Sequence, residues 1–226
     1  WEVTNYYGFD EKTNTVFYQS VENGSINRDV YSINLSGKNK VRLSKSTGTN
    51  AATFSPNFQY FINTFSSATQ PTTYTLNEAK KGAQVQVIEN NAALASKLKG
   101  YDLPAKEFFV LKTAKGNELN AWILKPKDFD PNKKYPVFMY QYSGPGSQQV
   151  NNDWNGTDDY WFQMLAQQGY IVACVDGRGT GFKGAAFKKV TQKELGKYEV
   201  EDQIDAAKVI GNYPYVDKNR IGIWGW

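Results

Sequence analysis

The chain has 226 residues, 40% apolar and 21% charged, and no uninterrupted apolar run approaches the ~18 to 20 residues that cross a bilayer, so disorder and a membrane-spanning helix are both excluded as readings. Lys and Arg number 26 against 22 acids, a net charge of +4, and they are scattered along the chain rather than gathered into the basic stripe that follows a phosphate backbone, so no nucleic-acid partner is expected. Histidine is absent and cysteine occurs once, so these residues complete neither a His-dependent triad nor a zinc or haem site, and they form no internal disulfide.

Residues 1–90 consist of short Tyr, Phe, Val, Ile and Thr runs broken by Asn, Gly, Ser and Pro, the pattern of many short strands joined by tight turns. A weak internal repeat runs through them. Phe9, Phe17, Tyr31 and Val41 recur as Phe54, Phe61, Tyr74 and Val85, offsets of 43 to 45 residues. A period near 44 with four strands per unit predicts two blades of a β-propeller, and the competing reading is a β-sandwich with chance self-similarity. Two blades do not close a ring, so the propeller reading places the other blades upstream of Trp1.

The texture changes near residue 91. Asn91-Ala-Ala-Leu-Ala-Ser-Lys-Leu predicts a short connecting helix capped by Asn90 or Asn91. Strands are predicted over 107–112 and 119–125 with a turn at Gly116-Asn117. Val137-Phe-Met-Tyr-Gln-Tyr142 and Tyr170-Ile-Val-Ala-Cys-Val175 are buried strands, with an amphipathic helix over 158–168 between them. A helix over 200–212 and a strand over 220–224 follow. Alternating strands and helices with near-continuous apolar strands predict a mostly parallel sheet covered on both faces. Cys174, inside such a strand, reads as a small buried hydrophobe.

Several stretches resemble chemical motifs. Gly179-Thr-Gly-Phe-Lys-Gly184 matches the glycine spacing of a dinucleotide loop, but the acids that follow, Glu201, Asp202 and Asp205, fall in a helical segment; a tight loop pinned by an Asp176–Arg178 charge pair is the better reading. Asp153-Trp-Asn-Gly-Thr-Asp-Asp159 has the oxygen donors of a calcium loop with the glycine misplaced, and is read as a polar turn capping the next helix. Glu199, Glu201 and Asp202 are read as first-turn carboxylates that offset a helix dipole. No metal and no cofactor is expected. The terminal Gly225-Trp226, ending a strand, is how the nucleophile elbow G-x-S-x-G begins, with the serine one residue further on.

Four stretches in this order and spacing carry a resemblance: Tyr135-Pro-Val with Tyr142-Ser-Gly-Pro-Gly-Ser-Gln148, Asp176-Gly-Arg-Gly-Thr-Gly181, Leu195-Gly-Lys-Tyr-Glu-Val-Glu-Asp-Gln203, and Arg220-Ile-Gly-Ile-Trp-Gly-Trp226. From Trp1 to Trp226 the chain resembles the dipeptidyl peptidase branch of the prolyl oligopeptidase family of serine peptidases. The resemblance implies the last blades of a β-propeller over 1–90, followed over 91–226 by the N-terminal half of an α/β-hydrolase catalytic domain. It implies a serine exopeptidase that releases N-terminal Xaa-Pro or Xaa-Ala dipeptides through an acyl-enzyme, with peptides whose second residue is Pro or Ala as substrates. The family continues Gly-Trp with Ser-Tyr-Gly-Gly, so the triad Ser, Asp and His would lie beyond Trp226, and the chain by itself is expected to be inactive. Tyr142 matches the tyrosine whose hydroxyl lines the oxyanion hole, a role a phenol fills because it keeps its proton at neutral pH. Trp226 would flank the nucleophile, either touching the leaving-group side of the substrate or serving only in packing. A homodimer and an extracytoplasmic, periplasmic location are implied for the intact protein. A prolyl tripeptidyl peptidase and a serine-free binding homologue are the alternatives.

Overall fold

The computed structural model describes residues 1–225, with the exception of the side chain of Asp158; Trp226 lies outside the described residues. The chain divides into two compact units, Trp1–Leu98 with Asn151–Trp154, and Lys99–Val150 with Asn155–Trp226.

The first unit holds two four-stranded antiparallel sheets, each in simple sequential order. One comprises β1 (Val3–Asp10), β2 (Thr15–Ser20), β3 (Asp29–Asn34) and β4 (Val41–Arg42); the other β5 (Thr49–Phe54), β6 (Tyr60–Ser67), β7 (Gln70–Glu78) and β8 (Gln84–Glu89). The sequence repeat maps strand onto strand: Phe9, Phe17, Tyr31 and Val41 lie on β1 to β4, and Phe54, Phe61, Tyr74 and Val85 on β5 to β8. An aromatic core of Phe17, Phe61, Val30, Leu43 and Ala79 is buried with Phe54 and Phe58 against it, and the Phe17 and Phe58 rings stack at 5.1 Å. Equivalent positions are not equally covered, since Tyr31 is buried and Tyr74 exposed.

Residues 151–154 are distant in sequence from these sheets yet belong to them. Asn152 Nδ2 donates to Asn27 Oδ1 at 3.1 Å, its Oδ1 accepts the Ala68 N–H at 3.0 Å, and its carbonyl accepts from Thr49 Oγ1 at 3.1 Å. Ser66 Oγ donates to Asp153. The 153–159 stretch therefore does not cap the helix that follows: the Asp153 carboxylate is turned to the sheets, and that helix begins behind Gly156 with no side-chain cap bond.

The second unit follows α1 (Ala92–Lys99), whose first N–H, that of Ala92, is taken by Asn90 Oδ1. Its strands are β9 (Glu107–Lys112), β10 (Glu118–Leu124), β11 (Tyr135–Gln141), β12 (Ile171–Asp176) and β13 (Val216–Gly225), and its helices α2 (Thr157–Gln167), α3 (Ala185–Lys189) and α4 (Lys197–Gly211). They form one sheet in the order β13-β11-β12-β10-β9. The sheet is mixed, which corrects the mostly parallel expectation: β11 runs parallel to β12 and β13, while β10 is antiparallel to both β12 and β9. The connections explain this. A parallel pair needs a crossover of about a dozen residues or more, which α2 supplies between β11 and β12 and α3 with α4 between β12 and β13. The turn after β9, closed by the Thr113 and Gly116 N–H groups on Asn117 and Thr113 carbonyls, permits only a hairpin.

Side-chain alternation gives the sheet two apolar faces. Ala121, Ile123, Val137, Met139, Ile171 and Ala173 face Ala206 and Ile210 of α4. The intervening Trp122, Phe138 and Tyr140 meet Trp161 and Phe162 of α2 at ring distances of 5.0 to 5.5 Å. β12 is buried along its whole length, and Cys174 within it is buried with its thiol pKa pushed up by burial. Both faces being covered accounts for the uninterrupted apolar run that marks this strand in the sequence.

Candidate active site

Tyr142 stands one residue beyond β11, at the carboxyl ends of the parallel strands, where open α/β sheets hold their ligands. The residue is 39% exposed. The ring packs against Gly144, where a Cβ would stand 2.8 Å from Tyr142 Cε1. The end of β13 arrives beside it: Gly225 pairs with Gln141, and a Cβ on Gly225 would fall 1.7 Å from the Gln141 carbonyl oxygen at a φ of +143°, so only glycine fits.

Residues 142–150 form an arch that leads from β11 to the buried Val150. Ser147 Oγ donates to the Tyr142 carbonyl at 2.9 Å and to the Gly144 carbonyl at 2.6 Å. Asp176, the last residue of β12, accepts the N–H groups of Gln149, at 3.0 and 3.2 Å, and of Val150, at 2.9 Å. Burial pushes the Asp176 carboxyl up to about 6 against the lowering effect of these N–H groups and of Lys183. Gln203 of α4 donates to the Val175 carbonyl at 2.8 Å and to Ser143 Oγ at 3.3 Å, and Ser143 donates to Gln141 Oε1 at 2.6 Å. A groove of about 510 Å³ opens next to these groups, walled by Met139, Val200, Ile204, Ile221 and Ile223.

The acidic and glycine-rich motifs resolve differently from their sequence readings. Asp176 and Arg178 do not pair with each other. Arg178 instead grips Asp202 with Nε at 3.0 Å and Nη2 at 2.7 Å, adds its backbone N–H at 2.7 Å, and reaches Glu201 at 2.6 Å. Hydrogen bonding to Asp202 raises the Arg178 pKa further. Because α4 begins at Lys197, only Glu199 stands in its first turn, accepting the Gly196 N–H at 3.0 Å; Glu201 and Asp202 serve the arginine rather than the helix dipole. In the 179–184 loop the Gly179 N–H bonds the Phe187 carbonyl and the Gly181 N–H the Ser147 carbonyl, so these donors are not presented to a phosphate. Asp159 ion-pairs with the buried Lys106 at 2.6 Å. Sequence reasoning missed Ser147, Gln203 and the bonds of Asp176. All three lie inside quoted stretches, and only their spacing in three dimensions reveals what they hold.

The model of the prolyl oligopeptidase family matches residues 156–226, and that of the dipeptidyl peptidase IV N-terminal region matches residues 1–72. This chain matches the dipeptidyl peptidase IV group of the prolyl oligopeptidase family. Among curated relatives of this family, the probable dipeptidyl peptidase 4 of Aspergillus flavus is 36% identical over 100% of this chain and 30% of its own length. The probable dipeptidyl-aminopeptidase B of Podospora anserina is 38% identical over 100% of this chain and 24% of its own. The crystal structure of Porphyromonas gingivalis dipeptidyl peptidase 4 superposes with a TM-score of 0.95 at 51% identity, covering 100% of this chain and 31% of that one. A putative dipeptidyl aminopeptidase IV from Bacteroides ovatus gives 0.86 at 29% identity, covering 99% and 31%. The chain thus spans under a third of the length of these family members.

Proposed function

We propose that this chain is part of a serine exopeptidase that removes dipeptides ending in Pro, or less well Ala, from peptide N-termini. On this reading the two antiparallel sheets of residues 1–90 are propeller blades, and residues 91–226 are the first half of an α/β-hydrolase domain. The single observation that carries it is the meeting of Tyr142 with the end of β13 through the Gln141–Gly225 pair. A strand ending in Gly-Trp at that point would present the next residue, the nucleophile of an elbow, beside the Tyr142 hydroxyl. The hydroxyl would donate to the oxygen of a substrate carbonyl as it gains negative charge, and its proton would stay on the phenol throughout. An extracytoplasmic location and a homodimer belong to the same reading, tested by cell fractionation and gel filtration.

The test is hydrolysis of Gly-Pro and Ala-Pro chromogenic dipeptides by the full-length protein, with and without a serine-directed fluorophosphonate. Turnover abolished by the reagent supports the reading, and turnover only of tripeptidyl substrates moves it to the tripeptidyl branch. A folded protein with neither labelling nor turnover overturns it in favour of a binding homologue. Tyr142→Phe is expected to lower kcat by about 10² to 10³ with KM little changed.

A further inference from the structure

The arch that presents Tyr142 has no regular structure of its own, so its shape is decided by whatever takes its polar groups. Ser147 holds its beginning through the Tyr142 and Gly144 carbonyls. Its middle is tied to the neighbouring loop, with the Gly146 N–H on the Gly179 carbonyl at 2.8 Å and the Gly181 N–H on the Ser147 carbonyl at 2.8 Å. Its exit is held by the Asp176 carboxylate, which accepts the N–H groups of Gln149 and Val150.

Asp176 is 3% exposed, and a buried carboxylate turned to two backbone N–H groups rather than to a cation is an unfavourable placement for stability alone. Lys183 reaches it only through its field, the thiol of Cys174 is its ionisable neighbour on β12, and the adjacent Arg178 is occupied by Asp202. The ring of Tyr142 rests on Gly144, inside the same arch, so a displacement of the arch carries the ring with it.

We propose that Asp176 is a positioning residue for the peptidase reaction: by accepting both N–H groups at the exit of the arch it fixes the loop on which the Tyr142 ring rests, and so aims the Tyr142 hydroxyl. This rests on the oxyanion reading of Tyr142. A misplacement of about 1 Å at such a group costs up to ~10² in rate.

The experiment measures kcat and KM of the full-length enzyme for Gly-Pro p-nitroanilide in four forms: unmodified, D176N, Y142F and the double variant, each checked for native circular dichroism. D176N is expected to lower kcat about tenfold or more with KM within about twofold, and to have no further effect once Tyr142 is phenylalanine. D176E, which keeps the charge but displaces the oxygens, runs beside it and is expected to behave in the same way should D176N fail to fold. An equal loss in both Tyr142 and Phe backgrounds overturns the positioning role while leaving the oxyanion reading intact. An unchanged kcat in D176N and D176E also overturns it. If Y142F itself retains full kcat, the oxyanion reading fails and the proposal falls with it.

Discussion

At the scale of single residues, the site is dominated by buried carboxylates whose partners decide their chemistry. Asp202 is fully buried and held by three Arg178 donors, so truncating the arginine leaves a charge in the interior without its counter-ion. Arg178→Ala is expected to cost about 3 kcal/mol in denaturant unfolding. Lys115→Ala, which removes an exposed partner of Glu201, should cost under about 1 kcal/mol. Asp176 carries the opposite signature. Its folded pKa, about 6, lies above the unfolded value of 3.8, so its stabilising contribution is complete below about pH 4 and is lost as pH rises through 6. The stability of D176N relative to the unmodified protein should therefore grow between pH 4 and 7, by on the order of 3 kcal/mol, and a difference independent of pH would contradict the burial of an ionised carboxylate there. At neutral pH the ionised Asp176 thus stabilises the fold less than its neutral form would, while its carboxylate still takes the two N–H groups of the arch. The sequence displayed both aspartates within quoted motifs, but their partners lie 24 to 27 residues away, a separation that adjacency in a motif does not report.

Secondary-structure elements were legible to different degrees, and the reason lies in how strongly each one's own side chains specify it. β12, β10 and β11 announce themselves because both faces of the sheet are covered, so most of their positions are apolar. The start of α2 was read to within one residue, whereas that of α4, which begins behind Gly196 with positive φ and no N-cap side-chain bond, lies three residues before the expected 200. Gly225 is the position where one element depends on another most sharply. Gly225→Ala places a methyl into the Gln141 carbonyl, and is expected to destabilise the β11–β13 pair by about 2 to 4 kcal/mol and to abolish the peptidase activity proposed for the full-length protein. Faster amide hydrogen exchange at Gln141 and Tyr142 would register the opened pair. Unchanged protection there would show that β13 does not set the position of Tyr142.

For the whole molecule, the informative feature is that compactness does not follow chain order. Residues 151–154 sit between two elements of the mixed sheet in sequence yet belong to the β unit through Asn27, Thr49, Ser66 and Ala68. Asn152→Ala leaves the Ala68 N–H without its acceptor and should cost about 1 to 3 kcal/mol, seen as faster hydrogen exchange at the turn after β6 with α4 unaffected. Acceleration in α4 alone would refute the assignment of this segment. The sequence by itself determined the two textures, the 44-residue repeat that falls strand on strand, the buried strands and the order of the motifs that carry the family resemblance, because periodicity and motif order are local properties of a chain. The tertiary structure alone decided that the sheet is mixed, that Arg178 serves Asp202 rather than Asp176, and that Tyr142, Gln141 and Gly225 meet. Those are outcomes of connection length, desolvation and close packing between residues far apart in the chain, where a charge or a missing side chain takes its meaning from what lies within about 3 Å.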